Sequence, residues 1–107
     1  MLEIHGTSDT VVPYDGKPPD RLGAVPRYLD AWADRNGCER AVSTHPRRRV
    51  TRVRYTDCDA GLAVEHLRLQ GTDHGWPGAD PPFPRHNPSQ LLANEVTWRF
   101  FAGKRLP

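Results

Sequence analysis

Two residues of this chain have the types and the order that the acid and the base of a nucleophilic hydrolase require. Asp9 follows a short apolar run and a Gly-Thr-Ser stretch, and His74 lies in a later loop that is dense in Gly, Pro and Asp. In such a site a carboxylate holds one nitrogen of a neutral imidazole, and the other nitrogen takes the proton of the nucleophile. Asp9 and His74 are therefore candidates for two of the three groups of a catalytic triad.

The third group, the nucleophile, is not recognisable in the sequence. No G-x-S-x-G occurs, although this turn is the usual context that exposes a nucleophilic serine. Ser8 adjoins the candidate acid, Ser43 lies in a basic stretch, and Ser89 falls in the first turn of a predicted helix. A glycine-rich oxyanion segment is also missing. We expect the nucleophile to come from elsewhere, either a missing N-terminal half or another polypeptide.

The elements that must position Asp9 begin with a short strand. Residues 2–5 are an apolar run that leads into a loop rich in Gly, Pro and Asp, which continues to about Gly23. Val25-Pro26 then predicts the start of a helix, because proline suits the first helical turn. Apolar residues keep helical spacing up to Asn36-Gly37, a typical helix end.

The elements that must position His74 are a hairpin and a helix. Residues 50–56 alternate between apolar and basic side chains and predict a half-buried strand, which pairs with a second strand at 62–69. A long loop at 71–88 follows. The final helix is predicted from Asn87 to Gly103, because its Asn-Pro-Ser-Gln start resembles a capping box.

The predicted order is strand, helix, β-hairpin, long loop, C-terminal helix, which is a layered α/β fold. Both chemistry-bearing loops follow strands, and ligand sites in open α/β sheets lie beyond the carboxyl ends of strands. The first strand has no earlier partner, and a parallel sheet covered on both faces needs more strands than these. We therefore expect residues 1–107 to be a single partial domain.

Several segments resemble one hydrolase family. Residues 4–14 resemble the acid loop of α/β hydrolases, whose general form is H-G-x-x-D-x-x-V-P. Residues 71–78, G-T-D-H-G-W-P-G, resemble the G-x-G-H-x-W-P-G histidine loop of the polyhydroxybutyrate depolymerase and feruloyl esterase family. Residues 32–38 resemble its W-x-x-x-N-G-C stretch, residues 55–58 its Y-x-x-C, and residues 96–101 its closing helix. The resemblance covers nearly the whole chain.

This resemblance implies the C-terminal part of an α/β-hydrolase domain, with Asp9 as the triad acid, which precedes the base His74 as the family order requires. It also implies a Cys38–Cys58 disulfide, an extracellular location although no signal peptide is visible, and no cofactor. The expected activity is carboxylic-ester hydrolysis of polyesters or of feruloyl and acetyl esters of plant polysaccharides. Asp73 replaces the family's glycine before the histidine, and a second carboxylate there would compete with Asp9 for the imidazole.

Four features have two interpretations each. Trp76 either shapes the rim of a substrate pocket or caps the core, with the core favoured, and Tyr14 beside the acid loop has the same alternatives. Without the resemblance, Cys38 and Cys58 are equally compatible with a disulfide and with two buried thiols. The arginines at positions 47–49, 52 and 54 favour a solvated face over a small nucleic-acid-binding domain.

Composition and spacing exclude other classes of protein. The formal charge of +2 is too small to indicate nucleic acid or a membrane surface, and no apolar run approaches the roughly 20 residues of a membrane span. The histidine spacings match no zinc motif, so no metal site is expected. The hydrophobic fraction of 36% and the mean hydropathy of −0.72 are low for a self-sufficient core. The alternative to an esterase is a catalytically inert chain that self-associates, because the missing strands would leave an unpaired edge at residues 2–5 and bare apolar helix faces.

Overall fold

The computed structural model describes residues 1–80, 83 and 85–104, which form a four-stranded mixed sheet with one helix on each face. The elements in chain order are β1 (Leu2–Gly6), α1 (Val25–Arg35), β2 (Arg40–Arg47), β3 (Val50–Thr56), β4 (Val64–Leu69) and α2 (Ala93–Ala102). Within the described residues, neither helix is long and apolar enough to cross a membrane.

The sheet order is β1-β4-β3-β2, and it decides where the two loops of interest meet. β1 and β4 are parallel neighbours, with Ile4 opposite Leu67. The β3–β4 and β2–β3 pairs are antiparallel. Because β1 and β4 run in the same direction, the acid loop and the histidine loop leave the sheet at the same edge.

β4 is the centre of the core, and its side chains alternate between the two faces of the sheet. Val64 packs with Val25 and Leu29 of α1. Leu67 and Leu69 point to the other face, where they pack with Val50 and Leu91 and with Val96 of α2. This alternation places α1 and α2 on opposite faces of the sheet.

The first strand, the first helix and the central hairpin are found where the sequence predicts them, but β2 was missed. All eight residues of β2 are exposed, and its sequence includes Pro46 next to a register shift. A strand that is exposed on both faces has no apolar alternation, so Arg40–Arg47 has the pattern of a basic loop. β2 joins β3 through a two-residue turn, Arg48-Arg49, in which Arg49 has a φ of 62°.

The predicted start of the final helix at Asn87 is wrong, since α2 begins at Ala93. The Asn87 side chain accepts hydrogen bonds from Thr72 Oγ1 at 3.1 Å and Ser89 Oγ at 2.6 Å, and it donates to Leu91 O. These bonds form a turn that ties the segment to the histidine loop. The polar residues that resemble a helix cap therefore stabilise a competing local structure.

Cys38 and Cys58 form a disulfide, which decides between the two interpretations of these residues. It joins the segment after α1 to the end of β3, where the Glu39 N–H also donates to Thr56 O at 3.0 Å. The covalent link therefore connects the end of α1 to the β3–β4 hairpin.

Candidate active site

The acid loop and the histidine loop are held together by backbone contacts directly beyond the sheet. The N–H of Thr7 donates to Leu69 O at 3.0 Å, and the N–H of Ser8 donates to Thr72 O at 3.1 Å. Gly6 lies so close to the second loop that a Cβ atom would be 2.6 Å from the carbonyl carbon of Thr72. The two loops therefore extend the pairing of β1 and β4 past the ends of the strands.

Asp9 is 8% exposed, and both of its carboxylate oxygens have partners. Oδ1 accepts the N–H groups of Val11 at 2.9 Å and Val12 at 2.7 Å, while Oδ2 lies 2.9 Å from Nδ1 of His74. Burial acts to raise the pKa of Asp9, but the hydrogen bonds from Val12, His74 and Val11 outweigh it and lower the pKa. Asp9 is therefore ionised at neutral pH.

His74 presents its second ring nitrogen away from Asp9. An ionised carboxylate accepts hydrogen bonds only, so Nδ1 of His74 carries a proton, and a base in this orientation would accept a further proton at Nε2. The side chain is 39% exposed. Nε2 has no hydrogen-bond partner among residues 1–80, 83 and 85–104. The pair therefore has the geometry of an oriented general base that is open to a nucleophile.

The competition that we expected from Asp73 is not seen in the described part of the chain. The Asp73 N–H donates to His86 O at 3.1 Å, and its carboxylate takes part in no hydrogen bond with the described residues. Asp9, and not Asp73, is the carboxylate that holds His74.

Tyr14 braces the acid loop against the sheet. Its hydroxyl donates to Nε2 of His66 at 2.9 Å, and Nδ1 of that ring donates to Glu3 O at 3.2 Å. His66 is 2% exposed, and burial lowers the pKa of its ring, which is neutral. The Tyr14 hydroxyl is thus engaged with the sheet. Its role in substrate binding stays a prediction.

Trp76 is 48% exposed and lies beside the edge of β1. Its indole N–H donates to Asn94 Oδ1 at 2.7 Å, and its backbone N–H donates to Phe83 O at 2.8 Å. Together with Leu2, Ile4 and other residues it lines a cleft of about 240 Å³. Both interpretations of Trp76, as a cap of the core and as part of a pocket rim, stay predictions.

His5 is a member of this site that the sequence reasoning did not single out. Its Nε2 lies 2.8 Å from Val12 O and 3.4 Å from Asp9 Oδ2, and its Nδ1 lies 3.1 Å from Glu3 Oε1. The hydrogen bond to Glu3 is the main cause that raises the pKa of His5. The signal was present in the H-G-x-x-D spacing, where this histidine stands four residues before the acid.

The remaining charged side chains are the candidates for a metal site or for a basic binding surface. Among the described residues, no group of three His, Cys, Asp or Glu side chains is close enough to hold a metal ion. Nε of Arg52 lies 3.0 Å from Glu65, and Nε of Arg54 lies 3.9 Å from the same carboxylate. Glu65 therefore partly neutralises the arginines at positions 52 and 54, which agrees with a solvated face.

Comparison with known proteins gives one similarity to an esterase. The chain is 29% identical over 86 residues to a bifunctional acetylxylan esterase/xylanase, XynS20E, of Neocallimastix patriciarum. The alignment covers 75% of this chain but only 12% of the length of that protein. No protein-family model and no solved structure matches the chain. The similarity is low, and it indicates an esterase relationship without showing the family.

Proposed function

We propose that this chain supplies the acid and the base of a serine carboxylic-ester hydrolase. The observation that carries the proposal is the 2.9 Å contact between Asp9 Oδ2 and His74 Nδ1, with Nε2 of His74 left open. The similarity to an acetylxylan esterase/xylanase supports an ester as the substrate. We propose acetyl or feruloyl esters of plant polysaccharides first, and hydroxyalkanoate polyesters as the alternative within the resembling family.

The mechanism assigns one task to each residue. Nε2 of His74 takes the proton of a serine hydroxyl as the oxygen attacks the ester carbonyl, and the imidazolium then gives that proton to the departing alcohol. Water repeats the cycle on the acyl-enzyme and releases the acid. Asp9 holds the tautomer and stabilises the imidazolium. Because the pKa of Asp9 is low, it does so without taking the proton.

The free edge of β1 is where we propose that the nucleophile-bearing segment joins the sheet. Met1 O accepts the N–H of Glu65 and the Thr7 N–H donates to Leu69 O, and both partners lie in β4. The backbone groups of odd-numbered residues therefore face β4, and those of Leu2 and Ile4 face the open edge. A further strand parallel to β1 would end at the same sheet edge as Asp9. The fold would then be the C-terminal portion of an α/β-hydrolase domain.

We also propose an extracellular location for the protein. The Cys38–Cys58 disulfide supports it, because structural disulfides persist in oxidising compartments and are rare in the cytosol.

The direct test of the nucleophile's source is the nucleotide sequence that precedes the Met1 codon. An in-frame G-x-S-x-G upstream would support a longer hydrolase, and the longer protein could then be expressed. The 107-residue chain by itself is expected to hydrolyse p-nitrophenyl acetate no faster than the buffer. Turnover by this chain that disappears in His74→Ala would contradict an external nucleophile.

In the longer protein we expect Asp9→Asn and His74→Ala each to lower kcat by about 10³–10⁴-fold, because the base loses its orientation or is absent. Asp73→Asn is the matched control for a neighbouring carboxylate, and His45→Gln is the control for an exposed histidine. Both controls should keep kcat within several-fold when hydrolysis of p-nitrophenyl acetate and acetylated xylan is measured. Full activity of Asp9→Asn would show that Asp9 is not the triad acid.

A further inference from the structure

We propose that His5 is a positioning residue for the Asp9–His74 pair. Its imidazolium is held between Glu3 and the acid loop, and it fixes the Val11 and Val12 peptide groups that bind the Asp9 carboxylate. The proposal rests on the proposed function for its catalytic meaning, but its evidence is geometric. The His5 side chain is 12% exposed, and its two ring nitrogens contact the partly buried Glu3 and the exposed Val12.

Both ring nitrogens of His5 face oxygen acceptors. Nδ1 lies 3.1 Å from Glu3 Oε1, and Nε2 lies 2.8 Å from Val12 O. A carbonyl oxygen and a carboxylate oxygen can only accept hydrogen bonds, so only the doubly protonated ring satisfies both contacts. Loss of either proton would leave a nitrogen lone pair facing an oxygen lone pair.

Val12 connects His5 to the acid. Its N–H donates to Asp9 Oδ1 at 2.7 Å, while its carbonyl oxygen accepts from His5. The contacts therefore run from Glu3 through His5 and Val12 to Asp9. A ring that holds the Val12 carbonyl restricts rotation of the loop and keeps the N–H aimed at Asp9.

Because Glu3 balances the charge of His5, we expect His5 to act on Asp9 by holding the acid loop and not by a strong electrostatic interaction. The carboxylate of Glu3 balances the imidazolium, and Asp9 Oδ2 lies 3.4 Å from Nε2. From the acid loop, Tyr14 presents its ring edge to His5 at 5.9 Å between centroids. On β4 the neighbouring groups are Arg68, which is paired with His5 in register, and the neutral His66. The ion pair with Glu3 is thus the main support of the charged ring.

The first test uses the unaltered 107-residue chain and does not depend on catalysis. We expect ¹⁵N NMR of the His5 ring at pH 7 to show both nitrogens protonated. On raising the pH, the hydrogen-exchange protection of the Val11 and Val12 amides should fall in step with the loss of the His5 proton. A neutral His5 ring at pH 7, or amide protection that does not follow its titration, would overturn the proposal.

The second test uses three variants with a common readout. His5→Leu removes the donor to Val12 O and should lower Val11 and Val12 amide protection by about tenfold or more, the size expected for one lost hydrogen bond. His5→Gln keeps a neutral donor near the position of Nε2 but carries no charge, so it should restore only part of the protection, and that protection should no longer follow the pH transition. Glu3→Gln should move the pH transition of the loop to lower pH, because it removes the partner that raises the pKa of His5.

The amides of Leu67 and Leu69 serve as the internal control, since these residues lie in the core of β4. Their protection should fall less than that of the Val11 and Val12 amides in all three variants, which separates a loop effect from general unfolding. Equal Val12 protection in His5→Leu and in the unaltered chain would overturn the proposal. If the longer protein proved to have no esterase activity, the proposed function would fail while these exchange results would still hold.

Discussion

At the residue scale, the Asp9–His74 pair depends on side chains that attach the acid loop to the sheet. Tyr14 is the clearest example, because its hydroxyl bonds to a histidine on β4 that is almost fully buried. The Tyr14 carbonyl also accepts the N–H of Val25 at 2.9 Å. One side chain thus connects the acid loop to the sheet, and its backbone connects the loop to α1.

We expect Tyr14→Phe to lower the free energy of unfolding by about 1–2 kcal/mol, because Nε2 of the buried His66 loses its donor. Tyr28→Phe is the matched control, since Tyr28 is 49% exposed, and it should cost less than about 0.5 kcal/mol. Urea unfolding measured by tryptophan fluorescence gives both values. Equal losses in the two variants would show that the Tyr14–His66 hydrogen bond contributes no stability.

The pKa shifts of His5 and His66 have opposite directions, so we expect the two residues to give opposite pH dependences of the free energy of unfolding. The pKa of His5 is raised above 6.5, so its contribution is complete below pH 6.5 and is lost as the pH rises through the folded-state pKa. The pKa of His66 is lowered, so its contribution is complete above pH 6.5 and is lost as the pH falls. The advantage of the unaltered chain over His5→Gln should therefore shrink as the pH rises above about 6.5, as measured by urea unfolding.

His66→Gln should show the reverse pattern, with a difference from the unaltered chain that shrinks as the pH falls below about 6.5. His45→Gln, at an exposed position on β2, is the control variant. For each variant, the difference in unfolding free energy from the unaltered chain is plotted against pH. Slopes of the same sign for His5→Gln and His66→Gln would contradict the assigned charge states of the two rings.

At the element scale, the close approach of β1 to the histidine loop brings acid and base together. Gly6 ends β1, and the next two residues bond to Leu69 and Thr72 across the sheet edge. No side chain fits at position 6, because the Thr72 carbonyl group occupies the space of a Cβ atom. Glycine at this position is therefore required for the approach of the two loops.

We expect Gly6→Ala to destabilise the fold by about 1–3 kcal/mol, the usual cost of overpacking a close contact. It should also weaken the Asp9–His74 hydrogen bond, seen as loss of the downfield His74 Nδ1 proton signal in NMR spectra. Gly103→Ala is the control, because a Cβ atom there meets nothing within 4 Å. Retention of the downfield proton in a folded Gly6→Ala chain would show that the loops can separate without losing the pair.

At the scale of the whole molecule, the sheet has two edge strands, the exposed β2 and, on the other side, β1 with its open edge. Exposed apolar side chains lie beside that edge: Trp76 is 48% exposed, Phe101 is 52% exposed, and Trp98 on the same helix is 74% exposed. Unpaired strand edges and contiguous apolar patches favour association. The same surface that we propose for the nucleophile-bearing segment could therefore bind a second copy when that segment is absent.

We expect the 107-residue chain to self-associate in a concentration-dependent manner in sedimentation velocity, and Phe101→Lys to shift it toward the monomer. Tyr28→Lys is the matched control, because Tyr28 is a similarly exposed aromatic residue on α1, on the opposite face of the sheet. A chain that stays monomeric at high concentration and unfolds cooperatively would contradict the self-association prediction. An equal effect of both variants would place the interface elsewhere.

Local patterns were sufficient to predict β1, α1 and the β3–β4 hairpin, because apolar periodicity and turn residues act over a few positions. They also singled out Asp9 and His74 as a candidate pair. The start of α2 and the strand β2 were not predictable in this way. Asn87 accepts a hydrogen bond from Thr72, 15 residues earlier in the chain, and Arg40–Arg47 pairs through its backbone while its side chains face water.

The sequence by itself determined which residue types could serve as acid and base and in what order they occur. Only the tertiary structure decided that Asp9 and His74, 65 residues apart, lie 2.9 Å from each other. It also decided that Asp73 does not take the place of Asp9 and that His5 lies against the same carboxylate. The physical reason is the parallel pairing of β1 with β4, a long-range contact that brings two distant loops to one edge of the sheet.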